Sequence, residues 1–155
     1  MRPAAPCNHD ELERFVRAQA PLIEQVRAEL AAGRKATHWM WFVFPQLRGL
    51  GSSPMAQHYG IVSLDEAIRY LQHPVLGERL AECTAAVTAW VGIPIETVFP
   101  YPDHLKFHSS MTLFERAARR VQGPRYGSVF RAALERYFNG VDDPRTLALL
   151  DPDGV

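Results

Sequence analysis

The chain has 155 residues and 17.5 kDa, the size of one ordinary domain. Seventeen Lys and Arg balance seventeen Asp and Glu, so the formal net charge is zero. That balance argues against a dedicated nucleic-acid binder and a polybasic membrane-surface protein, while 47% hydrophobic and 22% charged residues are enough to bury a core.

Cys7 and Cys83 are the only cysteines, so neither a disulfide framework nor a zinc knuckle is expected. No apolar stretch follows the first arginine, and the longest apolar run, Trp39 to Pro45, is too short to cross a bilayer. A reduced, cytoplasmic location with no membrane partner is the expectation.

The first helix should begin near Asn8 or Asp10, where Asn8 with Glu11 or Asp10 with Glu13 can form a capping box. Leu12, Phe15, Val16, Leu22, Ile23, Val26 and Leu30 recur at helical spacing, and Pro21 predicts a kink or a split. Gly33 is a natural stop. In Trp39–Phe44 nearly every position is apolar, so periodicity does not separate strand from helix. Gly49, Gly51, Ser52, Ser53 and Pro54 mark a loop. Ser63 with Glu66 forms a capping box for a helix through Leu71, and Pro74 suits the first turn of another that continues towards Trp90. Pro94, Pro100 and Pro102 predict a loop with at most one helical turn, and Ser110 or Thr112 is then the expected start of the next helix. Gly123 and Pro124 should break that helix, Ser128 to Phe138 should form another, and Asp143-Pro144 should open a last short one. The pattern predicts an all-α, mainly α fold of about seven helices. These form one domain over 9–150, with residues 1–8 and 151–155 as flexible tails.

Charge is uneven despite the neutral total: residues 103–140 carry an excess of four positive charges, and 141–155 return three of them. The arginines of 116–136 read first as a solvated helix face.

Two clusters could carry chemistry. His38, Trp39, Trp41 and Gln46 fall within nine residues, and indole N–H groups need partners when buried. Such aromatic faces suit stacking on a planar ligand, although a core segment with a satisfied histidine has the same composition. In the second cluster Lys106 precedes Ser109, Ser110 and Thr112 at the expected helix start, a ready anion site. The serines serve equally as ordinary N-caps. No Gly-x-Ser-x-Gly elbow supports a serine hydrolase, and no histidine spacing supports a metal site or names a cofactor.

The segments Lys35-x-x-His38-Trp39-Met40-Trp41-Phe42-x-Phe44-Pro45-Gln46-Leu47, His73-Pro74-x-Leu76-Gly77 and Asp103-x-x-Lys106-x-x-Ser109-Ser110-Met111-Thr112-Leu113-Phe114 closely resemble the bacterial family called domain of unknown function 1810. The resemblance runs in order over roughly residues 10 to 150 and implies a mainly α-helical single domain, with the tryptophan segment helical. It implies no particular activity.

The expectation is therefore a cytosolic protein with a pocket joining the two clusters. Lys106, Ser109, Ser110 and Thr112 would hold an anionic, nucleotide-like small molecule, against a wall of His38, Trp39, Trp41 and Gln46. The enzymatic version is a hydrolase of a nucleotide- or ADP-ribose-like substrate. In it His38 or Glu115 is the general acid/base and Lys106 stabilises negative charge. The third is a protein-interaction module that docks through its Trp/Phe surface.

Overall fold

Ten helices run through residues 8–121 and 126–150, the residues that the computed structural model describes. The expected tails and the Gly123-Pro124 break lie outside them, apart from Asn8, with which α1 (Asn8–Gln19) begins. The expected N-terminal capping lies at that same edge. Pro21 divides the first apolar stripe into α1 and α2 (Ile23–Ala31). A left-handed Gly33, at φ 77°, stops α2, with the Gly33 N–H donating to Leu30 O and the Arg34 N–H to Glu29 O.

The tryptophan segment makes one turn only, α3 (Met40–Val43). The chain then extends alongside Ile61: Arg48 N–H donates to Ile61 O and Ile61 N–H to Gln46 O, each at 2.9 Å. Ser53 caps α4 (Pro54–Tyr59), which begins on a proline. Ser63 caps α5 (Leu64–Gln72), its Oγ accepting from the Glu66 N–H at 3.1 Å as expected. The Glu66 carboxylate turns instead to the Val62 N–H and to Arg14.

Helix α6 (Leu76–Thr88) starts two residues after Pro74, with Val75 at its N-cap and a histidine side chain held against its first N–H groups. His73 Nδ1 accepts from the N–H groups of Val75 and Leu76 at 3.1 and 3.3 Å. There follow α7 (Ile95–Val98), α8 (Asp103–Ala118), α9 (Gly127–Phe138) and α10 (Pro144–Leu150). Helix α8 is the axis of the core, packing against α5, α7, α9 and α10. Its buried Phe107 meets Phe44 edge-on at 5.1 Å, and Phe99 and Trp39 continue that aromatic cluster.

The all-α class and the single domain stand, but the described residues form ten helices rather than about seven. The additional ones are the short α3, α4 and α7, too brief to show an apolar period. The larger correction is at α8, which starts at Asp103, seven residues before Ser110. Proline restricts the residue before it and tolerates a helix after it, so Pro102 can sit at the N-cap. Phe107, Met111, Phe114 and Ala118, all buried, give the helical spacing that continues from there.

Candidate functional site

The two tryptophans of the first cluster have opposite fates. Trp39 is fully buried and its indole Nε1–H donates to Glu29 Oε1 at 2.9 Å. The same carboxylate accepts from the N–H groups of Ala36 and Thr37, from Thr37 Oγ1 at 2.6 Å and from Gln25 Nε2 at 2.8 Å. Burial pushes the Glu29 pKa up, but the hydrogen bonds from Thr37, Gln25 and the backbone outweigh it and hold the pKa at about 2. Trp39 is thus a core residue held by a carboxylate from α2. Trp41 is half-buried and meets one member of the second cluster, Lys106.

Lys106, on the first turn of α8, places its Nζ 5.1 Å from the Trp41 ring centroid, and Lys35 Nζ lies 5.3 Å from that of Trp39. Asp103 stands between the two ammonium groups, with Oδ2 2.8 Å from Lys35 and Oδ1 3.8 Å from Lys106. This trio carries one net positive charge. Met40, Trp41, Gln46, Tyr59, Gly60 and Lys106 line a cleft at this corner, with free space of about 10 Å³, room for about one water. His38 is exposed on the loop before α3 and is not part of the cleft lining.

The remaining expected residues lie further along α8 and face elsewhere. With the helix starting at Asp103, the backbone N–H groups of Ser109, Ser110 and Thr112 point at carbonyls one turn back, so no helix N-terminus lies there for an anion. Ser109 Oγ donates to Asp143 Oδ2 at 2.8 Å, and Thr112 Oγ1 accepts from the Asp143 N–H at 2.9 Å. Ser110 is fully buried. Glu115 lies nine residues beyond Lys106, about 13 Å along the helix axis. Its Oε2 is 3.1 Å from Arg119 and 3.4 Å from Arg131. The structure therefore joins Lys106 with Trp41 and Gln46. It does not bring Trp39, Ser109, Ser110, Thr112 or Glu115 to that corner.

Glu29, Lys35 and Asp103 are the contributors that the sequence reading left out of the site. A glutamate between Val26 and Leu30 on an apolar stripe, and a lysine four residues before a tryptophan, were the available signals. Among the described residues no group of three or more His, Cys, Asp or Glu is placed to hold a metal ion, and no helix is long and apolar enough to cross a membrane.

The fold and this corner define a helical single-domain protein with a lysine–tryptophan cleft where α3 meets α8. Residues 9–150 match the family described as protein of unknown function (DUF1810), and the chain belongs to that family. It is similar to the crystal structure of the conserved hypothetical protein Rv1873 from Mycobacterium tuberculosis. The identity is 56% and the TM-score 0.85, with 90% of this chain and 96% of that one covered. No curated protein matches the chain.

Proposed function

We propose that the protein binds the anionic group of a small, nucleotide-like ligand at the Trp41–Lys106 corner. The observation that carries this reading is the Lys106 ammonium 5.1 Å from the face of a half-buried tryptophan, with Gln46 on the same cleft. An ammonium provides charge for a phosphate or carboxylate, and an indole provides a stacking edge for a planar group. The Lys35–Asp103 pair at 2.8 Å fixes Asp103, so that Lys106 keeps charge to offer. A recess of about 10 Å³ does not enclose a nucleotide. The ligand lies across the mouth, with its anionic group on Lys106. The reading goes with a cytoplasmic protein, in which a buried, unpaired thiol such as Cys83 is ordinary.

The test is a thermal-shift and tryptophan-fluorescence titration of wild type, Lys106→Ala and Trp41→Ala with phosphate, nucleotides, NAD and ADP-ribose. A ligand at a hundred times its Kd stabilises by about 2.7 kcal/mol, a visible shift in Tm. The expected result is a shift in wild type that both variants lose. A shift that survives in Lys106→Ala places the site elsewhere, and no shift with any compound overturns the reading.

A further inference from the structure

A second cleft lies at the far end of α8, built on different chemistry. Arg116, Arg119 and Arg120 line it together with Leu64, the first residue of α5, and Leu150, the last of α10, around a space of about 260 Å³. Two of the arginines that shape it are held from behind. Arg119 Nε donates to Glu115 Oε2 at 3.1 Å, and Arg116 Nη2 to Asp142 Oδ2 at 3.1 Å. Arg131, on α9, approaches the same two carboxylates at 3.4 and 3.8 Å. Two carboxylates thus face four arginines once the exposed Arg120 is included, which leaves two positive charges in excess.

Each guanidinium has five N–H donors in a planar fork, and the bonds to Glu115 and Asp142 use only a few of them. The remaining donors of Arg116 and Arg119, fixed by those bonds, suit the oxygens of a phosphate or carboxylate better than a lysine ammonium does. Space of this size falls just below that of pockets for drug-sized ligands and fits a phosphate, a pyrophosphate or a small dicarboxylate. Leu64 and Leu150 give the cleft apolar edges that a fully hydrated salt ion does not require.

We infer that the Arg116–Arg119–Arg120 cleft is a binding site for a multiply charged small oxyanion of the phosphate or pyrophosphate class. It is independent of the Trp41–Lys106 corner, about 15 Å or more away along α8.

The experiment titrates pyrophosphate by calorimetry into the full chain carrying Lys106→Ala, which removes the other ammonium and isolates the arginines. One saturable site is expected, weakened by added salt. Arg120→Glu on the same background should weaken it by about tenfold or more, the scale of losing and reversing one charge-assisted contact. Arg120 is exposed and stands outside the Glu115–Asp142 network, so helicity and Tm should report an intact fold. Absence of a saturable site on the Lys106→Ala background overturns the inference, as does affinity that Arg120→Glu leaves unchanged. Retention of single-stranded RNA that pyrophosphate fails to displace overturns it in favour of a nucleic-acid surface.

Discussion

The indole of Trp39 donates to the carboxylate of Glu29 at 2.9 Å, across the turn that ends α2. Trp39 faces inward on this bond, while Trp41, two residues later, lies against Lys106 of α8. Four further donors converge on the same carboxylate, so its ionised form is part of the fold. The folded pKa, near 2, is below the ordinary 4.5. The stabilisation is fully present above the unfolded value and is lost as pH falls from about 4.5 towards 2, up to about 3 kcal/mol in all. Urea titrations across this range should show that slope. Glu29→Gln should cost about 2 kcal/mol at neutral pH, because an amide cannot accept from every donor, and should flatten the acid slope. An unchanged slope would mean that Glu29 is not the group that titrates.

Gly77 sits where the start of α6 crosses the end of α5. A Cβ there would lie 2.1 Å from the Leu71 carbonyl oxygen and 3.0 Å from the Tyr126 hydroxyl. The first obstacle is backbone and cannot rotate away. Gly77→Ala should therefore cost about 3 kcal/mol or more, although alanine is the better helix former. A variant as stable as wild type in chemical denaturation would show that the two helices do not approach this closely.

His73, the C-cap of α5, turns its Nδ1 to the start of α6 and accepts from the Val75 and Leu76 N–H groups, which have no partner inside the helix. His73→Ala should lower stability by about 1 kcal/mol, and His73→Asn, whose oxygen can accept in the same place, should recover part of it. Equal stability of the alanine and asparagine variants would argue against a capping role.

Cys83 is buried on α6, and burial pushes its thiol up to about 12. With Cys7→Ser, a thiol reagent at pH 8 should find no reactive group in the native protein and one after denaturation. Rapid native labelling would show that α6 opens on the time scale of the reagent.

The local features of the fold were legible wherever one residue type has one geometric use. Pro21 splits α1 from α2, Gly33 stops α2, and Ser63 caps α5. The start of α8 was not read correctly, because Pro100, Pro102 and the polar His104, Lys106 and His108 hide the buried series from Phe107 to Ala118. That error put Ser109, Ser110 and Thr112 beside Lys106 at the expected helix start, whereas they lie about two turns inside the helix. Trp39 is taken by Glu29, ten residues before it on α2, and nearness in sequence carries no sign of which indole that carboxylate holds. For the meeting of Lys106 with Trp41, 65 residues apart, the sequence offers only two clusters and the expectation of a shared cleft.

Helix α10 buries one residue, Thr146, and so has little apolar surface with which to dock. Its anchor is Asp143, whose Oδ2 accepts from Ser109 Oγ at 2.8 Å and from Thr146 Oγ1 at 2.6 Å, while its own N–H donates to Thr112. A latch made of hydroxyls and one carboxylate opens more readily than a hydrophobic seam. The amides of α10 should accordingly exchange with deuterium well before those of α8. Leu150 closes this helix and also walls the arginine cleft. Release of α10 removes that wall, so any anion bound there tightens the latch by the same free energy that the closed latch adds to its binding.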